Sequence, residues 1–339
     1  MKKLHILLFL LLLSILLSCT KEKPNEPEVG PVFNPDLPCY TLVYPKGDKL
    51  WATKLNYIDP VAIGSDPITV GISVVTSPDG SLIAYLKRYS ICVIDKHGNL
   101  IGEPTFSIQT RSADLAWSHD SNRLIIMPWP GRYIYNVALD SLIRISDFHW
   151  INSPSFAPGD SIITDAYHNG NYAWIAVSRD NGYGGRIVST KLITIWDEPL
   201  QIHWLSDYEI LFKKNGADGN SGIYLLDLST YSEGNPVTPT QVVADGVYQL
   251  AVSPDGQYFA YSSKQNGLLY GRIGDWSTTQ LRPFEYPCNS YLAWSPDSKA
   301  LVYRTANGIY WVPLNGSAHL VIEFYGQCWQ YEGNVAIVP

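Results

Sequence analysis

The chain has 339 residues, 46% of them apolar and 13% aromatic but only 16% charged, which excludes a chain disordered throughout. Its formal net charge is −7 and no run of Lys or Arg occurs, which excludes nucleic acid bound through a basic patch. Tyr (23) and Trp (11) are frequent and Met (2) is scarce; with no sustained helical apolar period beyond Cys19, strands are expected and almost no helix.

The first element is a leader. Met1-Lys2-Lys3 is followed by an apolar run from Leu4 to Leu17 and then by Ser18-Cys19. A basic start, a short apolar core and a small residue at the cut make a secretory signal, and the run is shorter than the ~20 residues that cross a membrane. Leu16-Leu17-Ser18-Cys19 resembles the lipobox of bacterial lipoproteins. That resemblance implies cleavage between Ser18 and Cys19 and acylation at Cys19, where several chains anchor firmly and one does so marginally. Thr20–Asn34 is polar and rich in Pro and Glu, so an extended tether is expected. Thr20 is not an aspartate, so the inner-membrane retention signal of enteric bacteria is missing. The expected division is a signal peptide over 1–18, lipidated cysteine and tether over 19–38, and a folded domain over 39–339. The expected address is the cell envelope, at the outer membrane on its periplasmic or surface face.

The rest of the chain is built on a repeat. Ser77-Pro78-Asp79-Gly80 and Ser253-Pro254-Asp255-Gly256 each join two short apolar runs, with near copies at Ser118-His119-Asp120-Ser121 and Ser295-Pro296-Asp297-Ser298. Looser copies stand at Ala157-Pro158-Gly159-Asp160 and Leu205-Ser206-Asp207-Tyr208. Their first residues are 41, 39, 48, 48 and 42 apart. Short strands at such a period predict an all-β fold, a β-propeller with one four-stranded blade per repeat. Each first strand ends in a bulky residue, as at Trp117, Phe156, Trp204, Val252 and Trp294. Second strands begin near Leu82, Leu124, Ser161, Glu209, Tyr258 and Ala300, and third strands near Ile91, Tyr133, Ala173, Ile223, Leu268 and Ile309. The turn aspartates are expected as turn residues: Pro presets φ, Asp bonds back to the backbone and Gly accepts positive φ. Strands from Cys39 and Lys49 precede the first full repeat, and Val335–Val338 follows the last, matching a second strand. The two ends are expected to share a seventh blade, which covers two open sheet edges; six blades is the alternative.

"SPDG" followed by an "IAY" or "FAY" run resembles the WD40-like, TolB-like propeller repeat of bacterial envelope proteins, over roughly residues 40–339. The resemblance implies the fold and a binding or scaffolding role in the envelope. Some relatives are propeller halves of prolyl peptidases, but no G-x-S-x-G elbow is present to carry that activity over.

Four cysteines remain besides Cys19: Cys39, Cys92, Cys288 and Cys328. An even count in an exported chain permits two disulfides in three pairings, and Cys39 with Cys328 would lock the closing blade. No histidine pattern suggests a metal site, and the Asn215–Asn220 loop lacks a terminal bidentate ligand for calcium. Neither metal nor cofactor is expected. The rim opposite the turns gathers Arg88, Trp129, Arg132, Tyr133, Trp150, Tyr167, His168, Tyr172, Lys264, Tyr286 and Arg304. Rings flanked by Arg, His and Asn suit a peptide or a sugar, because the rings bury apolar area and the polar groups fix orientation. The expected function is non-catalytic, lipid-anchored binding of an envelope protein or peptide; the alternatives are a glycan-binding module and a lyase or hydrolase at the propeller mouth.

Overall fold

The computed structural model describes residues 32–63, 74–87, 90–105, 113–128, 131–146, 151–169, 172–179, 186–193, 200–216, 218–283, 291–324 and 334–339. Seven antiparallel sheets form the blades of a β-propeller, and a single 3-10 turn at Leu228–Thr230 is the one helical element among the described residues.

Blade 1 runs Val74–Thr76, Leu82–Lys87, Ser90–Asp95 and Leu100–Gly102 from axis to edge. Blade 2 runs Ala113–Trp117, Arg123–Pro128, Arg132–Asn136 and Ser141–Ser146. In blade 3, Ile151–Phe156, Ile162–Asn169 and Tyr172–Arg179 are followed by an outer edge split into Arg186–Ile187 and Leu192–Ile193. Blade 4 comprises Ile202–Trp204, Glu209–Lys214, Gly222–Asp227 and Thr240–Ala244. Blade 5 comprises Val247–Val252, Tyr258–Ser263, Gly267–Arg272 and Thr278–Arg282, and blade 6 comprises Leu292–Trp294, Ala300–Arg304, Gly308–Pro313 and His319–Glu323.

Blade 7 closes the ring from both ends of the chain, in the order Ala336–Val338, Thr41–Lys46, Lys49–Lys54 and Val61–Ile63. Here the structure corrects the sequence reading. Ala336–Val338 is the innermost strand, pairing Ala336 with Val43 and Val338 with Thr41, and the other three strands come from the N-terminal side. A short apolar run fits an inner strand and a second strand equally well, because both are buried on two faces. Val32–Phe33, within the expected tether, pairs with Tyr57–Ile58.

Double-faced burial explains the absence of strict alternation in the middle strands. Ile83, Ala84, Tyr85 and Leu86 are all buried, one face toward each neighbouring blade. In blades 2, 4, 5 and 6 the register shifts between the third and outer strands near the start of the third, as at Ile223/Tyr224 and Ile309/Tyr310, and in blade 1 it shifts later, at Val93/Ile94. Such a bulge twists an edge strand and blunts its tendency to pair with another chain.

The turns weld neighbouring blades. Within each full motif the serine hydroxyl donates to the aspartate two residues on, at 2.6 Å in Ser77–Asp79, 2.5 Å in Ser118–Asp120, 2.6 Å in Ser253–Asp255 and 2.7 Å in Ser295–Asp297. The same hydroxyl accepts the N–H that opens the second strand, as from Tyr258 at 2.9 Å. The fourth turn residue of the next blade then accepts from this turn's backbone. Asp79 N–H donates to Ser121 Oγ at 3.2 Å, and Asp255 N–H donates to Ser298 Oγ at 3.1 Å. His119 and Asp120 donate N–H groups to the two Asp160 carboxylate oxygens at 2.7 and 2.9 Å. These links place the motif turns side by side on one rim.

Candidate functional site

The seven innermost strands enclose an axial channel of about 520 Å³. Each strand runs toward its turn, so equivalent repeat positions form rings around the axis. Four residues before the turn-opening residue stand Asp114, Ser153, Gln201, Gln249 and Tyr291 in blades 2 to 6. Two residues before it stand Val75, His203, Ala251 and Ala293, mostly small or apolar. The wall is therefore polar along blades 2 to 5 and apolar where Val74, Val75, Ala336 and Ile337 face it.

The polar arc is a hydrogen-bonded belt. Ser153 N–H donates to Asp114 Oδ2 at 3.0 Å, and Gln201 N–H donates to Ser153 Oγ at 3.1 Å. Leu250 N–H donates to Gln201 Oε1 at 2.8 Å, while Gln201 Nε2 donates to Gln249 Oε1. Ser153 and Gln201 both take positive φ, 56° and 45°, which turns their groups along the belt. Burial raises the Asp114 pKa above the usual carboxylate range, and the single Ser153 N–H offsets this only in part. His203 Nε2 lies 3.2 Å from the Leu250 carbonyl, so that nitrogen carries the proton; burial lowers its pKa and keeps the ring neutral.

The rim opposite the turns carries cations held by a carbonyl or packed near rings, of which Lys213 and Arg304 are buried. Lys213 Nζ donates to the Tyr248 carbonyl at 2.6 Å, and Lys264 Nζ sits 5.2 Å from the Tyr248 ring centre. The Arg304 guanidinium lies 6.0 Å from the Tyr291 ring and 5.5 Å from the Phe324 ring. Lys191 Nζ lies 3.3 Å from the Tyr172 ring, which is 39% exposed. Such contacts hold long cationic side chains in place at the edge of the site.

Of the residues expected on this rim, Arg132, Tyr133, Tyr172, Lys264 and Arg304 are described with their side chains. Lys264 is partly exposed beside the channel mouth through Tyr248, whereas Arg304, next to Tyr291, is buried. Arg132 is also buried, in an ion pair with Asp165 of the next blade, and Tyr133 is buried with Arg144 5.8 Å from its ring centre. Burial pushes Asp165 up to about 6 despite the neighbouring guanidinium. Tyr167 and His168 lie on the second strand of blade 3, where only their backbone is described. Arg88, Trp129, Trp150 and Tyr286 lie outside the described residues, as do Cys19 and Cys328; Cys39 is exposed. In the Asn215–Asn220 loop, Asn215 binds across to Val247 with both amide atoms, and Asp218 caps Asn220. Among the described residues, no group of three His, Cys, Asp or Glu side chains is placed to hold a metal.

The belt residues Asp114, Ser153, Gln201 and Gln249 were not singled out from sequence. The signal was available: all stand four places before a turn residue.

No family model matches the chain, and no curated protein matches it by sequence. Solved structures do match by shape. A protein of unknown function from Desulfotomaculum acetoxidans aligns with TM-score 0.63 and 13% identity over 89% of this chain and 99% of its own. An oligogalacturonate lyase from Vibrio parahaemolyticus aligns with TM-score 0.60 and 11% identity over 82% and 92%. TolB from Acinetobacter baumannii aligns at TM-score 0.47 and 15% identity over 83% and 65%, too loosely to bear on function. At these identities the likeness is one of fold: the chain is a seven-bladed β-propeller.

Proposed function

We propose that the protein is a non-catalytic propeller of the bacterial cell envelope, anchored by lipid on Cys19, that binds a protein or peptide on the rim opposite its turns. The observation that carries the binding reading is Lys264, partly exposed at the channel mouth with its ammonium 5.2 Å from the Tyr248 ring centre, while the buried Lys213 and Arg304 add positive charge behind it. A cation held on a ring complements an acidic, extended segment: the ring buries apolar area, and the accessible ammonium meets a carboxylate. The leader and the lipobox-like Leu16–Cys19 support the envelope anchor.

A peptide array spanning acidic, neutral and basic sequences tests the binding reading. Wild-type protein is expected to favour acidic peptides, and Lys264→Glu to weaken them by about tenfold. Charge-independent binding, or a Lys264→Glu profile like wild type, would contradict it. Mass spectrometry of the mature N-terminus tests the anchor: acylated Cys19 is expected, and an unmodified terminus contradicts it.

A second reading rests on Tyr172 and Lys191, an exposed ring with a cation above it, which suits a carboxylated glycan. Uronic-acid oligosaccharides belong on the same array. Because one structural neighbour is an oligogalacturonate lyase, the same incubations are to be followed for unsaturated products, which would make the site catalytic.

A further inference from the structure

We propose that the axial channel is a separate binding site for a small primary amine, whose ammonium group is taken by the Asp114 carboxylate. Among the described residues lining the channel, no Lys or Arg balances Asp114. The groups facing it are Val75 and Thr76 from blade 1, Ser153 from blade 3, and Gln201, His203, Gln249, Tyr291 and Asn334 around the ring. His203 is neutral and tied to the Leu250 carbonyl, so it supplies no positive charge. A carboxyl on a channel of about 520 Å³, with one backbone N–H as its described partner, is left to be complemented by a cation from outside.

The rest of the channel suits the same ligand. Ser153, at the same repeat position in the next blade, lines the wall beside Asp114 and carries a hydroxyl oxygen that can accept from another ammonium proton. One ring lower, Val75, Ala251 and Ala293 are small or apolar and leave room for an alkyl chain. The channel volume of about 520 Å³ exceeds a short alkylamine several-fold, so neither ring need move.

The field along the axis has the right sign. On the turn rim, Asp79, Asp120 and Asp255 stay ionised: burial opposes this, but hydrogen bonds from Ser77, Ser118 and Ser253 and their neighbours hold each below the usual carboxylate range. On the opposite rim stand Lys213, Lys264 and Arg304. A cation is drawn in along the axis from the turn rim, and Asp114, near the start of its strand, stands toward the far end of that path. An acidic peptide at the cationic rim would approach from the other side.

The test is calorimetric titration of the full-length protein with n-butylammonium and, as its neutral counterpart, n-butanol. Saturable one-to-one binding of n-butylammonium at pH 8 is expected, with n-butanol at least tenfold weaker and Asp114→Asn at least tenfold weaker for the amine. Thermal melting verifies that the variant folds. The amine stays protonated from pH 4 to 8, so its affinity for wild-type protein is expected to fall toward pH 4 as Asp114 takes up a proton. This wild-type series decides the matter even if the variant does not fold. Lack of saturable binding, equal binding of n-butanol, full affinity in Asp114→Asn, or an affinity flat with pH would each overturn the proposal.

Discussion

The Ser153 N–H donates to Asp114 Oδ2 across the boundary between blades 2 and 3, at 3.0 Å, and so begins the belt that crosses the channel wall to Gln249. The contact fixes the carboxyl in place without neutralising it. Burial raises the Asp114 pKa in the folded protein. Its contribution to stability is therefore fully present below the unfolded value of ~3.9 and is lost as pH rises through the folded value. Asp114→Asn keeps an oxygen for Ser153 and removes the charge. The variant is expected to melt higher than wild type at pH 8, with the gap closing by pH 4. Parallel melting curves with a pH-independent gap would contradict this.

Asp160 joins blade 3 to blade 2 by accepting the His119 and Asp120 N–H groups while its own φ is 59°. Asp160→Gly relieves the positive φ, so its cost isolates the lost hydrogen bonds. A loss of about 1–3 kcal/mol is expected by urea denaturation. Asp160→Asn, which keeps an acceptor, should lose less.

Gly80 and Gly256 occupy the same turn position, with φ of 70° and 68°. A Cβ at Gly80 would overlap the Pro339 ring, whereas a Cβ at Gly256 meets open space. Gly256→Ala is expected to cost only the backbone strain, about 1–2 kcal/mol. Gly80→Ala should cost more, because it also pushes Pro339 off the turn of blade 1. Equal losses on denaturation would contradict the packing of Pro339 there.

Arg132 and Asp165 form a buried pair between blades 2 and 3, 4% and 5% exposed. Arg132→Met strands the carboxylate and is expected to cost about 3–5 kcal/mol at pH 8. Asp165 titrates near 6 in the folded protein, so its contribution is present below ~3.9 and is lost as pH rises through 6. The penalty in Arg132→Met should accordingly shrink on acidification. Denaturation at pH 5 and pH 8 measures this, and a penalty equal at both would refute the assignment.

The fold was legible because the turn chemistry repeats in the chain. Ser and Asp at fixed offsets, with Pro or Gly in most, mark four turns and looser copies mark two more, and in the four the structure shows the bond behind the pair, as from Ser253 Oγ to Asp255. The inter-blade use of Ser121, Asp160 and Ser298 was not legible, because their acceptors serve a turn about forty residues earlier. The closing strand was misplaced because Ala336–Val338 carries no polar residue to tell an inner strand from a second one. The channel belt was missed for another reason. Aromatic loops drew attention to the rim, while Asp114, Ser153, Gln201 and Gln249 differ in side chain and share only their repeat position. Only the ring makes them neighbours.

Photo-crosslinking decides whether ligand binds the rim opposite the turns. Gln265, next to Lys264 in the loop between the second and third strands of blade 5, lies on that rim, and Tyr208 ends a turn on the other; both are exposed. Each is to be replaced by benzoylphenylalanine and irradiated with the tightest acidic peptide from the array. A crosslink is expected from position 265 and none from position 208. A crosslink from position 208 alone, or equal yields from both, would contradict binding on that rim.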